Sequence, residues 1–152
     1  MITMRVLVLA AALAVCGCSY MRHPTPTTTW GQPSGAMLLG LEARGEIVTV
    51  FLQNRSAQVQ RIIAKGFTLT IEPAAGSAGA SPATQIVDAK DISLDSDATF
   101  EELKPGESLA TPISLQRLRP GTYTVAAAYG PQVKGTWWTG SLTAGPIQFV
   151  RP

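Results

Sequence analysis

Phe67-Thr68-Leu69-Thr70-Ile71-Glu72-Pro73 is the stretch that decides the fold, because its apolar and polar residues alternate strictly. Alternate side chains of a β-strand point to opposite faces, so a period of two predicts a strand with one buried face. The run from Ile47 to Leu52 is rich in the β-branched and aromatic residues that strands favour. From Thr122 to Tyr129 the alternation recurs, and the residues of its apolar face are Tyr123, Val125, Ala127 and Tyr129.

The rest of the chain after Gly35 carries the signals of further short strands and no pattern of a capped amphipathic helix. Turn-forming residues recur about every 8 to 12 positions, and about 115 residues suit one domain. The sequence therefore predicts an all-β fold, a single antiparallel β-sandwich of about seven strands over residues 37–152. Pro112 has no backbone N–H to give to a neighbour, so the strand from Ser108 to Leu115 is expected at a sheet edge or bulged there.

Leu118-Arg119-Pro120-Gly121-Thr122-Tyr123 narrows the type of sandwich. This stretch resembles the tyrosine corner of immunoglobulin-like and fibronectin-like domains, in which the tyrosine hydroxyl bonds back to the backbone a few residues upstream. The resemblance extends over about Glu46 to Val150 and implies an Ig-like β-sandwich. Such a fold does not by itself define a function.

The start of the chain predicts where the protein is sent. Arg5 is followed by an unbroken apolar run from Val6 to Val15, which is typical of a secretory signal peptide and too short to cross a membrane as a helix. Val15-Cys16-Gly17-Cys18 resembles the lipobox of bacterial lipoproteins. The resemblance implies that residues 1–17 are a lipoprotein signal peptide and that Cys18 becomes lipidated and acylated. Ser19 in the next position favours the periplasmic face of the outer membrane of a Gram-negative cell.

Residues 18–36 are predicted to hold the lipidated cysteine and a disordered tether rich in proline and threonine. This composition favours an extended, semi-rigid chain. The 17 residues from Ser19 to Gly35 reach roughly 50 Å at about 3.1 Å each, which places the domain clear of the membrane. Trp30 is the exception in this polar stretch, and we expect it to dock on the domain or to lie at the lipid interface.

The domain lacks the residues that many active sites use. The whole chain has 2 cysteines and 1 histidine. Cys16 leaves with the signal peptide, Cys18 carries lipid and His23 lies in the tether, so Cys-His and Ser-His-Asp nucleophiles and ordinary zinc sites are excluded from the domain. The formal net charge is +2 with scattered basic residues, which argues against a nucleic-acid partner. We expect a protein that is not an enzyme and has no cofactor.

The densest charged stretch runs from Asp88 to Glu102 and holds six carboxylates, opposed only by Lys90. Carboxylates can bind Ca²⁺, but the spacing does not match an EF-hand loop. We interpret the stretch as a solvated acidic edge that discourages sheet pairing, and predict no metal site, with calcium binding left open. Glu101 and Glu102 are expected on a turn, without the cleft that paired catalytic carboxylates require.

Trp137-Trp138 is the best candidate for a binding site. Adjacent strand residues point to opposite faces, so only one of the two indoles enters the core. Trp138 is in phase with Leu142 and is predicted to be the core residue, which leaves Trp137 on the surface beside Lys134. An exposed tryptophan can stack on a sugar or anchor a protein partner. It can equally cover the polar face of the sheet or pack under Trp30.

These features predict a non-enzymatic lipoprotein, held at the membrane by its lipid, whose Ig-like domain binds an envelope protein or acts as an assembly accessory. One alternative is a periplasmic protease inhibitor, because small Ig-like sandwiches also present loops to active sites, although the loop motifs of chagasin-like inhibitors are not evident. The other is a carbohydrate- or peptidoglycan-binding module that acts through Trp137.

Overall fold

A computed structural model describes residues 20–21, 25, 27–64, 66–74, 100–130 and 138–152 of the chain. These residues form ten strands: β1 (Tyr20–Met21), β2 (Thr29–Trp30), β3 (Met37–Arg44), β4 (Ile47–Asn54), β5 (Gln60–Ile63), β6 (Phe67–Pro73), β7 (Phe100–Leu103), β8 (Ser108–Ser114), β9 (Gly121–Tyr129) and β10 (Leu142–Arg151). Within these ranges there is no helix of the length and apolar character that a membrane crossing needs.

The strands form two main sheets and one small one. The five-stranded sheet has the order β1-β8-β4-β3-β2, the three-stranded sheet has the order β10-β9-β6, and β5 pairs with β7. Every one of these pairings is antiparallel, so the prediction of an all-β antiparallel fold is confirmed. Ig-like sandwiches place strands A, B and E in one sheet and C, F and G in the other. The placement of β3, β4 and β8 opposite β6, β9 and β10 agrees with that arrangement, and the Ig-like assignment stays a prediction.

The core lies between the two main sheets. It is filled by the apolar side chains that alternate along the strands, as the period of two predicts. Phe67, Leu69 and Ile71 of β6 are buried, as are alternate residues of β9. They pack against alternate residues of β3 and β4, whose core-facing members are Met37, Leu39, Leu41, Val48, Val50 and Leu52. Burying a large apolar side chain contributes about 1.5–3 kcal/mol, so these alternating rows hold the sheets together.

The tyrosine-corner hydrogen bond is present. The hydroxyl of Tyr123 donates to the carbonyl oxygen of Arg119 at 2.8 Å. The ring of Tyr123 is buried and lies 6.5 Å from that of Phe149. The hydroxyl therefore fixes the connection between β8 and β9 from inside the sandwich.

Residues that the sequence predicted to be a disordered tether are paired as strands in the described part of the chain. β2 pairs with Gly40 and Leu41 of β3, while β1 pairs with Leu109 and Ala110 of β8. The N–H of Gly31 also donates to the carbonyl of Leu39 at 2.9 Å. A proline- and threonine-rich composition favours extended chain, but extended chain is also what an unpaired strand edge accepts as a neighbour. The edges of β3 and β8 turn part of the predicted tether into sheet.

Trp30 docks on the domain, which is one of the two positions expected from the sequence. Its ring lies 6.4 Å from that of Phe51, which is fully buried on the face of β4 that points away from the sandwich core. Gly40 makes room for the indole, since a Cβ there would lie 2.6 Å from a Trp30 ring atom. At Gly31 a Cβ would overlap the carbonyl oxygen of Thr143, so the segment also packs closely on β10.

Two threonines of the same segment satisfy a buried carboxylate. Glu42 of β3 is buried, and its Oε2 accepts hydrogen bonds from the hydroxyls of Thr25 at 2.8 Å and Thr28 at 3.2 Å. Arg44 forms an ion pair with the other oxygen of this carboxylate. A buried charge is costly without partners, so Glu42 favours the docked position of the segment.

We predict that Trp30→Ala lowers the free energy of unfolding by about 2 kcal/mol. This loss is smaller than the loss for a fully buried tryptophan, because Trp30 is half-buried. Gly40→Ala should also destabilise, because the added methyl group displaces the indole. Urea denaturation of the two single variants and the double variant checks this. In the Trp30→Ala background, Gly40→Ala should cost less, because the overlap with the indole is gone and only the Thr28 methyl carbon, 2.9 Å from the added Cβ, still has to move. Fully additive costs, or an unchanged Trp30→Ala protein, would contradict the docking.

Candidate functional site

The sandwich has two chemically different ends. The aromatic end contains Tyr129, Trp138, Arg61 and Phe100, and the arginine end contains Arg44, Arg117, Arg119 and Arg151. β4 runs between them from Ile47 to Asn54, and eight residues span about 26 Å at about 3.3 Å each. The two ends are therefore separate surfaces.

Asn54 fixes the β5–β7 sheet to the aromatic end. Its side chain is fully buried, and its Nδ2 donates to the carbonyls of Leu103 at 2.8 Å and Gln58 at 2.7 Å. Its Oδ1 accepts from the backbone N–H of Ser56 at 2.9 Å and from the hydroxyl of the same residue at 2.8 Å. All hydrogen-bonding positions of the amide are thus used to hold the turn after β4 and the end of β7.

Tyr129 joins β9 to β5 at the same end. Its hydroxyl donates to the carbonyl of Ile63 at 3.0 Å and accepts from the N–H of the same residue at 3.3 Å. The ring of Trp138 stacks on it with 5.8 Å between centroids and 23° between planes. Trp138 is half-buried against the core, as predicted, and its backbone N–H donates to the carbonyl of Arg61 at 2.8 Å.

Gly140 permits this stacking. A Cβ at that position would overlap the six-membered ring of Trp138. The indole therefore lies across the backbone of Gly140 on one side and on the ring of Tyr129 on the other. This arrangement holds Trp138 and the residues that follow it against β5.

The surface of the β5–β7 sheet combines a cation with exposed apolar groups. The guanidinium of Arg61 lies 4.7 Å from the centroid of the Phe100 ring. Phe100 is 36% exposed and Val59 is 54% exposed. Aromatic and arginine side chains are enriched in protein interfaces and often dominate their binding energy. These three residues form what we call the Arg61–Phe100 surface.

Sequence reasoning missed the Arg61–Phe100 surface. Its two main residues are 39 positions apart, and no spacing rule joins them before the register of β5 and β7 is known. The one available signal was a lone phenylalanine in the polar stretch Ala98-Thr99-Phe100-Glu101-Glu102.

The site residues predicted from the sequence lie outside the described residues. Trp137 and Lys134 belong to 131–137, and Cys18 precedes Tyr20. The flanks of 131–137 are described: the N–H of Gly130 donates to the carbonyl of Gly66 at 3.2 Å, and Trp138 bonds to Arg61. Gly130 and Trp138, the described residues on either side of 131–137, are thus both at the aromatic end.

The acidic stretch is described only at its end. Glu101 and Glu102 lie in β7, paired with Ile62 and Arg61, so the expectation that they sit on a turn is wrong. The partner strand β5 provides the backbone pairing that makes this segment extended, and adjacent strand residues then point to opposite faces. In the described part of the chain, no group of three or more Asp, Glu, His or Cys residues could hold a metal ion.

Burial raises the pKa of Tyr129 from 10.0 to about 12, against a smaller lowering effect of its hydrogen bond with Ile63. The neutral phenol is the form that the folded state favours. Its contribution to stability is therefore complete below pH 10.0 and is lost as the pH rises towards about 12.

We predict that the free energy of unfolding falls by about 2 kcal/mol more between pH 9 and pH 12 in the wild type than in Tyr129→Phe. Urea denaturation at a series of pH values measures both slopes. At neutral pH the variant should already be less stable, because the backbone groups of Ile63 lose their partner. Equal slopes in the two proteins would show that the pKa of Tyr129 is not raised.

Comparison with known proteins found no matching family model, no matching curated protein and no matching solved structure.

Proposed function

We propose that the protein is a lipid-anchored lipoprotein of the periplasmic face of the outer membrane. It is not an enzyme, and its Ig-like β-sandwich binds another envelope protein through the aromatic end. The observation that carries this proposal is the exposed pairing of Arg61 with Phe100. This pairing is at the aromatic end, and β1 points towards the opposite end of the sandwich.

The direction of the anchor follows from β1. Tyr20 lies opposite Ala110 and Met21 opposite Leu109, so the chain before Tyr20 leaves towards the later residues of β8. β8 runs from Ser108 to Ser114, and Ser114 pairs with Ile47 at the arginine end. From Met21 to Tyr20, β1 therefore points towards the arginine end, and Tyr20 lies opposite Ala110, four residues before Ser114.

The distance along the chain from the sheet to the lipid-carrying residue is also short. Cys18 is two residues before Tyr20, and two residues reach at most about 7 Å. A lipid on Cys18 would hold the sandwich against the bilayer, not on the extended tether that the composition suggested. The aromatic end then faces away from the membrane, where a protein partner can reach it.

The Arg61–Phe100 surface has the chemistry of a protein contact. Stacking on Phe100 keeps the guanidinium of Arg61 in place at the surface, and the ring and Val59 supply apolar area. Trp137 and Lys134 lie between the described residues Gly130 and Trp138 in the sequence, and they are proposed to extend this surface. The protease-inhibitor and glycan-binding alternatives stay predictions, because residues 131–137, on which they depend, are outside the described residues.

We predict that the full chain, expressed with its signal in a Gram-negative host, takes up a palmitate analogue, and that Cys18→Ser abolishes the label. Chemical crosslinking in the same cells should capture one envelope protein. Phe100→Ala and Arg61→Ala should each lower this capture about tenfold or more, as expected for central interface residues.

Ile47→Ala is the matched control, because Ile47 is also 36% exposed but lies at the arginine end. Capture should survive in this variant. Capture that is lost with Ile47→Ala and kept with Phe100→Ala would place the interface at the wrong end for our proposal. Absence of lipid label in the wild type would overturn the anchor.

A further inference from the structure

We infer that the arginine end binds the anionic headgroups of the bilayer that holds Cys18, so that the sandwich stands on the membrane with its aromatic end outward. This inference rests on the proposed lipid anchor. It assigns a second binding surface, with phospholipid phosphate as its ligand.

Three separate parts of the chain meet at the arginine end. The turn between β3 and β4 carries Glu46, whose carbonyl accepts from the N–H of Leu115 at 2.8 Å. Arg151, the last residue of β10, forms an ion pair with Glu46 and donates to the carbonyl of Gln116 at 3.3 Å. The β3–β4 turn, the β8–β9 connection and the end of β10 are thus bonded into one surface.

Among the described residues of this surface there are four arginines and three carboxylates, so positive charge exceeds negative charge by one. Arg44 is paired with Glu42, and Arg151 is paired with Glu46. Arg117 and Arg119 are exposed and have no ion-pair partner among the described residues. Glu72 is the remaining described carboxylate near this end, on β6 opposite Thr124. Arginine binds phosphate oxygens with two parallel hydrogen bonds, so Arg117 and Arg119 suit headgroup phosphates.

The backbone that carries these two arginines is held firmly. The N–H of Leu118 donates to the carbonyl of Leu115 at 3.0 Å, and Tyr123 bonds to the carbonyl of Arg119 from inside the sandwich. The polar backbone groups are thus turned inward, and the guanidinium groups are left at the surface. A surface fixed in this way loses less entropy when it binds than a mobile loop does.

Apolar side chains accompany the arginines. Ile47 and Val150, which is 61% exposed, are two of the four large apolar residues that stand out from the described surface. Ile47 begins β4 beside the β3–β4 turn, and Val150 precedes Arg151. Basic groups beside exposed aliphatic ones are typical of surfaces that lie in the headgroup region of a membrane.

The anchor and the charge reinforce each other. The chain leaves β1 towards the arginine end, and Cys18 is at most about 7 Å from Tyr20. A basic residue near an anionic membrane surface contributes about fivefold in affinity. The lipid supplies the attachment, and Arg117 with Arg119 would set the orientation.

The test uses the lipidated protein, purified from membranes and incorporated into vesicles of phosphatidylcholine with or without phosphatidylglycerol. The sequence has two cysteines, Cys16 in the signal and Cys18 at the lipid, so one added cysteine can be labelled alone. Ser114→Cys labels the arginine end and Lys104→Cys the aromatic end, both at exposed positions. Energy transfer from each fluorophore to headgroup-labelled lipid then reports which end lies nearer to the bilayer.

We predict stronger transfer from position 114 than from position 104 in the anionic vesicles. Replacing both arginines by glutamine, Arg117→Gln with Arg119→Gln, should lower the preference for this orientation on the order of 25-fold and remove the difference. High salt should weaken the difference as well. The control is Arg55→Gln, which removes an exposed arginine next to Asn54 at the aromatic end and should leave the difference unchanged.

Equal transfer from the two positions, or a difference that survives loss of both arginines, would overturn the inference. A requirement for Arg117 and Arg119 in capturing an envelope protein, with position 114 remote from the bilayer, would assign the arginine end to a protein and would also overturn it. Mass spectrometry of the purified protein first establishes lipid on Cys18, so failure of the anchor is distinguished from failure of the orientation.

Discussion

Backbone pairing at the two edges of the five-stranded sheet is the constraint on which the rest of the structure depends. An unpaired strand edge presents a row of N–H and C=O groups, and such groups must find partners. The segment before Met37 supplies partners at both edges, through β1 on β8 and β2 on β3. Its side chains then satisfy Glu42 and cover Phe51. The proposed anchor is short because this segment belongs to the sheet.

Features that depend on local pattern could be predicted from the sequence. The alternation in Phe67–Pro73 defines a buried face whatever its partner strand is, and the Tyr123 hydroxyl bonds only four residues back. Pro112 belongs to the same class, because its missing N–H restricts it without reference to the rest of the fold. In the described part of the chain, β1 pairs with Leu109 and Ala110 of β8, and the expectation of an edge or a bulge at Pro112 stays a prediction.

Features that depend on register could not be predicted in the same way. Arg61 meets Phe100 because β5 and β7 pair with Gln60 opposite Leu103, and local sequence does not specify that register. The same pairing makes a strand of Glu101 and Glu102. The docked segment is a further example, because proline and threonine favour extended chain both free in solution and paired at an edge. Composition indicates the preferred backbone conformation of a segment, but it does not indicate the strand with which that segment pairs.

The two proposed surfaces impose a geometric condition on each other. β4 alone spans about 26 Å between the arginine end and the aromatic end, so the length of the strands holds the two proposed surfaces apart. With the arginine end on headgroups, a partner would meet the aromatic end at that height above the bilayer. A flexible tether would allow a wide range of heights and tilts, and binding would then have to order the linker. A sandwich fixed directly to the membrane avoids that cost and selects partners whose own binding surface lies at the same height.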